Sequence, residues 1–313
     1  MRKILSLFLL TLLALPLAAQ EESITSSGEL VLQASSLPEG KLGYTHSFRF
    51  PMLQGDSPLT EGNNLKLHLT AEVSPVSLIG ITKAVLTPVA FLEFSAGARA
   101  AAGWNINLFG GDIYGNGLNK YDETTGISYI DGSAFDALIW KTWLSGTFQF
   151  DLAAVVPGDW NHVVFLTYHE INYNANTRAS GKEAWYFEAD DGENLNAFNY
   201  YGNIVLGYQM PIFLNMIAFM AEMNYTIHEH DSCCENYGFD LMRWHFAGIL
   251  NFTVTEKFSI ALVTQFRTRR NYTNFNEHED EKPFLHFTKR NLDSSDPLRL
   301  EFYRIAGIFT YKF

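Results

Sequence analysis

Cysteine is nearly absent. The 313 residues hold two, Cys233 and Cys234, and they are adjacent, so a framework of several disulfides is excluded. Basic runs are equally scarce: none is longer than Arg269-Arg270, and the formal charge is −12, which argues against a nucleic-acid partner. A paired-cysteine metal motif, a Ser-His-Asp arrangement and a nucleotide fingerprint are all missing, so no cofactor is expected, and the enzyme alternative is an outer-membrane protease of the type considered below. Beyond residue 20, no clean apolar run is long enough for a spanning helix. The nearest case, 204–221, is broken by Gln209, Pro211 and Asn215.

Aromatic residues, by contrast, are abundant: 25 Phe, 15 Tyr and 6 Trp make 15% of the chain. Mean hydropathy is −0.05, the value expected when apolar and polar residues alternate and cancel. That alternation recurs. Leu65, Leu67, Leu69, Ala71 and Val73 fall on one face, with Lys66, His68, Thr70 and Glu72 on the other. Leu144, Phe148 and Phe150 oppose Lys141, Thr147 and Asp151; Phe246, Leu250 and Phe252 oppose Arg243, His245 and Asn251. A period of two is the mark of strands. The segments run about 10 to 17 residues, at or beyond the 9–11 of a tilted spanning strand and longer than most soluble strands.

At the other end, Met1-Arg2-Lys3 precedes an apolar run from Ile4 to Leu17 and the small pair Ala18-Ala19. This has the form of a secretory signal peptide over 1–20, cleaved after Ala19 or Gln20. A short periplasmic segment, 21–40, is expected to follow, and then a barrel over 41–313.

The closing stretch, Tyr303 to Phe313, places Tyr303, Ile305, Gly307, Phe309, Tyr311 and Phe313 on one face. It resembles the last strand of a bacterial outer-membrane β-barrel, in which a terminal Phe is the assembly signal. Thr87-Pro-Val-Ala-Phe-Leu-Glu-Phe and Ala101-Ala-Gly-Trp-Asn look like small barrels of spirochaetes and related diderms, whose roles are mostly unassigned. The resemblance implies an all-β, antiparallel, up-and-down transmembrane barrel in the outer membrane. It also implies outer-membrane lipid and the barrel-assembly machinery, reached through Phe313, as partners, with an extracellular ligand met through the loops.

Alternating short and long turns gives ten strands: 41–52, 64–87, 89–104, 135–151, 161–174, 196–210, 212–228, 238–254, 258–273 and 298–313. Long outer loops are then expected at 53–63, 105–134, 175–195, 229–237 and 274–297. The segment 64–87 is too long for one strand and contains Pro75; if it divides, and 184–190 also pairs, the count is twelve. Arg49, Lys66, Glu72, Glu93, Arg99, Lys141, Asp151, Glu222, Arg243, Arg267, Arg269 and Arg304 fall on the inner face. An Arg or Lys facing lipid near the midplane would cost about 2–4 kcal/mol. About eight strands fill a lumen with side chains and 16–18 leave a channel, so a filled or narrow lumen is expected, in a surface interaction protein or a small-solute pore. A soluble periplasmic β protein is the alternative outside the membrane.

Two loops carry metal-ligand chemistry: His228-Glu229-His230-Asp231-Ser232-Cys233-Cys234, and Glu277-His278-Glu279-Asp280-Glu281. Imidazoles and carboxylates suit zinc or copper, and His228, His230 and His278 are the candidate ligands. Omptins, ten-stranded outer-membrane proteases, share the expected architecture. Their Asp-x-His pair is replaced here by His228-x-His230, and their Asp-x-Asp by the scattered Asp122, Asp131 and Asp136. No catalytic residue carries over. The glycine-rich stretch 110–117 lacks the Gly-Lys-Ser/Thr ending of a phosphate cradle and reads as a flexible loop.

Overall fold

Long stretches of strict two-residue alternation require a sheet with two unlike faces, and this chain closes that sheet on itself. The computed structural model describes residues 23–313 except 38, 109–110, 123, 126, 181–182, 189, 191, 228–237, 239–240 and 274–291. In chain order the first strands are β1 (Thr25–Ser35), β2 (Gly40–Pro51), β3 (Asn64–Ser74), β4 (Ser77–Val89) and β5 (Leu92–Gly103). Four short strands follow: β6 (Ile106–Leu108), β7 (Gly111–Ile113), β8 (Asn116–Asp122) and β9 (Ile127–Asp131). Then come β10 (Ile139–Asp151), β11 (Val163–Asn176), β12 (Trp185–Phe187) and β13 (Ala197–Gln209). The last are β14 (Leu214–Ile227), β15 (Arg243–Thr253), β16 (Phe258–Arg270) and β17 (Leu298–Lys312).

Twelve of these form one closed antiparallel barrel, in the order β1-β2-β3-β4-β5-β10-β11-β13-β14-β15-β16-β17 and back to β1. The closing ladder runs from Glu29 opposite Lys312 to Ser35 opposite Ala306, and the N–H of Phe313 donates to the carbonyl of Gly28 at 2.9 Å. The start of β1 and the end of β17 therefore share one rim. The turns 90–91, 152–162, 210–213 and 254–257 lie at that rim, and the long connections 104–138, 177–196, 228–242 and 271–297 at the other.

The outer face is greasy. Leu144 is 69% exposed, Leu206 56% and Phe219 53%. Aromatic side chains touch across strands near both rims. Trp140 meets Tyr173 at 5.3 Å and Tyr173 meets Phe198 at 4.9 Å on the loop side, while Phe148 meets Phe165 at 6.4 Å on the other. A soluble monomer rarely exposes a contiguous apolar patch beyond a few hundred Å². A band of this kind, edged by aromatic belts around a closed barrel, is the face that lipid solvates. The chain is a transmembrane β-barrel of the outer-membrane type.

Twelve is the alternative count, reached by a different route from the one expected. The segment 64–87 does divide, at the two-residue turn Pro75-Val76, where the hydroxyls of Ser74 and Ser77 lie 2.7 Å apart. The other added strand is β1, inside the segment 21–40 that was expected to precede the barrel. Residues 185–187 pair with β8 in an inner sheet and not with the barrel. Adding β1 reverses the direction of β2, so 52–63, expected as an outer loop, lies at the rim of the short turns.

Gly97 on β5 is opposite Trp143 on β10. The indole lies flat over the glycine, so that a Cβ there would stand 2.1 Å from Trp143 Cζ2. Gly97→Val is expected to cost about 1–3 kcal/mol by overpacking, read from urea unfolding of the refolded barrel in detergent. Gly80→Ala, where a Cβ would find nothing within 4 Å, should leave the midpoint unchanged or raise it.

Candidate functional site in the barrel lumen

A wall built from alternating strands presents every second residue to the lumen, and here those residues are charged, amide-bearing or hydroxylated. Lys66 pairs with Glu93 at 3.3 Å, Lys141 with Glu170 at 2.6 Å and Arg267 with Glu301 at 2.8 Å, while Arg304 reaches Glu39. The phenols of Tyr168 and Tyr201 donate to Glu170 and Glu222, each at 2.5 Å. Charges withdrawn from bulk water are tolerated when paired in this way. Several of the inner-face cations read from the sequence are thus paired, but among the described residues Arg49 meets no carboxylate and donates to the Gly62 carbonyl at 3.2 Å, and Arg269 is exposed. Arg99 has no carboxylate at ion-pair distance among the described residues; its guanidinium lies over the Phe187 ring at 5.5 Å, and its buried Nε has no hydrogen-bond partner.

The connections 104–138 and 177–196 fold inward. β8 pairs with β9 and β12 to make a small sheet inside the loop-side mouth. Trp185, 1% exposed, and Phe187 pack with Leu118 against Ile79, Ala101 and Ile139 of the wall. Asparagines fasten this sheet. The Asn196 side chain accepts from Trp185 Nε1 at 3.0 Å and from the Asn176 N–H at 2.8 Å, and donates to the carbonyls of Asn176 and Ala179. Asn176 donates to Asn116, which donates to Asp136 at 2.7 Å. Of the stretch 110–117, expected to be a flexible loop, the described residues 111–117 are built into this arrangement. A Cβ on Gly115 would lie 2.0 Å from the Val76 carbonyl oxygen, so only glycine fits between Val76 and Trp104.

From this sheet the described residues of 187–194 reach into the lumen as a strap. At one end Glu188 binds Lys41 of β2 at 2.9 Å and accepts from the Ser77 hydroxyl of β4. At the other end Glu193 binds Arg270 of β16 at 2.5 Å and lies 3.6 Å from Arg243 of β15. β2 and β16, which carry the closest ionic partners Lys41 and Arg270, stand three places apart in the ring of twelve, and β4 and β15, which carry Ser77 and Arg243, six, so the strap ties together separate parts of the wall. Asp190 holds its tip by accepting the N–H groups of Phe187 at 3.2 Å and Gly192 at 2.8 Å. Glu188 has φ of +53°, a left-handed conformation costing a non-glycine residue about 1–2 kcal/mol, which its two partners offset. Three cavities surround the strap, of about 200, 350 and 250 Å³, and Asp190 lines all three.

The sequence-derived sites fare differently. His228, His230, His278, Cys233 and Cys234 lie outside the described residues. Asp131 and Asp136 both bind Arg178, and Asp122 caps a turn through Thr124 and Thr125. Among the described residues none of these three carboxylates has a histidine partner. Glu188, Asp190 and Glu193 were passed over as parts of a polar outer loop. The available signal was Trp185-Tyr186-Phe187, an aromatic triplet that an outer loop has no use for.

No protein-family model matches the chain, and no curated relative matches it. Among solved structures it is similar to a KdgM porin, with a TM-score of 0.40 and 10% identity, over 92% of this chain and 99% of that one. The apolar exterior and aromatic belts, independent of that likeness, place the barrel in a membrane.

Two outcomes follow from the inner sheet. Trp185→Ala removes its largest buried side chain, at a local cost of about 3–5 kcal/mol. Hydrogen exchange should accelerate across 116–131 and 183–195 while the barrel ladder stays protected. The second concerns pH. The ammonium of Lys120 beside Glu183 holds that carboxyl below the usual carboxylate range. A depressed carboxyl contributes stability above its unfolded pKa and loses it as pH falls through the folded value. Protection of β8 and β9 should therefore fall as pH drops below the ordinary glutamate range near about 4.3, once intrinsic rates are corrected for, and Lys120→Met should flatten that dependence.

Proposed function

We propose that this barrel is a narrow solute channel of the outer membrane, with the strap as its constriction. One observation carries the reading. The lumen is crossed by a strap fastened at two ends and is not packed solid, and the space on either side is lined by polar and charged groups. Twelve strands lie between the eight that side chains fill and the sixteen that leave an open pore, and one crossing segment reduces such a bore without closing it. Apolar side chains would fill the lumen more stably if a rigid scaffold were the only requirement, since buried ion pairs add little net stability. Phe313 fits the role of assembly signal within the same reading: it packs edge-on against Tyr311 at 5.0 Å and Tyr44 at 6.4 Å at the seam where the barrel closes.

Planar-bilayer recording tests this. Wild-type protein should give small, discrete current steps. The double variant Glu188→Gln, Glu193→Gln, which loses both charged ends of the strap, should give steps several-fold larger, with folding checked by the heat-dependent shift on an SDS gel. Silence from both folded proteins would overturn the channel and leave a plugged scaffold.

A further inference from the structure

Period two gives most of this lumen a polar lining, yet one sector departs from it. Val263 of β16, with 7% exposure, and Ala306 and Ile308 of β17 turn apolar side chains inward. Facing them across a cavity of about 350 Å³ are Ile106 and Ile113, opposite each other in the hairpin β6–β7, and Val76 of the β3–β4 turn. We infer that this cavity binds a small, neutral, amphipathic molecule, with an apolar body against these side chains and a hydrogen-bonding group toward Gln33 and Gln265. The site goes beyond the channel reading and holds equally for a barrel that passes no current.

Its lining is unlike that of its neighbours. The cavities of about 200 and 250 Å³ have one non-aromatic apolar side chain each, Met223 and Leu195, among carboxylates, cations and amides. Charged groups border the 350 Å³ cavity too, but they are engaged with one another. Glu39 binds Arg304, and Glu188 binds Lys41 at 2.9 Å. Asp190 accepts from the N–H groups of Phe187 and Gly192 and from the Asn194 amide. An ion of either sign would have to break such a pair and leave one member uncompensated. Hydrogen-bonding capacity does remain. Gln265 Oε1 accepts from Arg304 Nε at 2.6 Å, while its amide nitrogen and the side chain of Gln33 have no partner among the described residues.

Side chains that served only to press the hairpin onto the wall would close this space. An unfilled cavity between apolar groups forfeits their dispersion contacts, and such cavities take up small apolar molecules. The volume is more than twice the roughly 150 Å³ that admits benzene, which suits a two-ring body. Ser35 and Ala306, the last pair of the closing ladder, both border the cavity, so an occupant would touch the inner hairpin and the seam of the barrel together.

The test is calorimetric titration with 1-naphthol, near neutral pH where it is uncharged, of the refolded, full-length barrel in lipid nanodiscs. Nanodiscs without protein measure uptake by lipid alone. Naphthol should bind saturably, naphthalene-1-sulfonate at least about tenfold more weakly, and glucose should give no heat. Ala306→Leu, which puts a larger side chain into the space, should weaken naphthol at least about tenfold. Ala306→Ser, which leaves the space open, should keep most of the affinity, and both variants should retain the heat-dependent gel shift. The double variant Gln33→Leu, Gln265→Leu should weaken naphthol about three- to tenfold; no loss would overturn the amphipathic assignment. Heats no greater than those of protein-free nanodiscs would overturn the site, as would equal binding to wild type and Ala306→Leu, which would put the molecule on the lipid face. Naphthol binding by a barrel that passes no current would keep this site and defeat the channel; currents without naphthol binding would do the reverse.

Discussion

Everything in this molecule depends on the ladder between β1 and β17. In a bilayer core an unpaired backbone N–H or carbonyl costs several kcal/mol, so a sheet whose two edges did not meet could not be placed there. The register from Glu29–Lys312 to Ser35–Ala306 pairs both edges, and closure then divides every side chain between two solvents. Residues of one parity meet lipid and residues of the other meet the lumen. The aromatic belts, the leucine-rich exterior and the charged interior are consequences of that division.

Closure also creates a difficulty. A ring of twelve strands is too wide for wall side chains to meet across its centre, yet its inner face carries charges that must be paired or hydrated. The protein resolves this at two levels. The wall pairs charges laterally, between adjacent strands as in Lys141–Glu170 and across an intervening strand as in Lys66–Glu93. The strap brings Glu188 and Glu193 to further wall cations: Lys41, which Glu72 of β3 also approaches at 3.6 Å, and Arg270. Its anchorage is apolar and its ends are ionic. Trp185 and Phe187 provide an affinity for the wall that salt does not screen, while the carboxylates choose where the crossing lands. A strap held only by its charges would be weak, because such pairs in partly hydrated surroundings contribute little.

The barrel was legible in the sequence because its governing signal is local. Period two over ten or more residues survives whatever the rest of the chain does, and the ten segments located by it contain eleven of the twelve wall strands, with 64–87 recognised as divisible at Pro75. β1 escaped because Thr25–Ser35 opens on Thr, Ser, Ser, Gly and Glu, and because Val31 points inward between the outward Leu30 and Leu32, so the period is blurred. The strap escaped for a different reason. Glu188 meets Lys41 across 147 residues, and Glu193 meets Arg270 across 77. No local pattern encodes such a meeting, and an acidic loop reads the same whether it faces water or a ring of arginines.

The arginines show what alternation alone leaves undecided. Parity assigned Arg99 and Arg243 to the lumen, and it assigned Arg267 and Arg304 there equally well. Only the folded arrangement separates them. Arg267 and Arg304 lie over the Tyr303 ring at 4.4 and 4.8 Å and are closed off by Glu301 and Glu39, which makes them parts of the wall. Arg99 lacks such a carboxylate among the described residues and lies over the Phe187 ring at 5.5 Å, so it is the inner sheet, and not the wall, that meets its guanidinium.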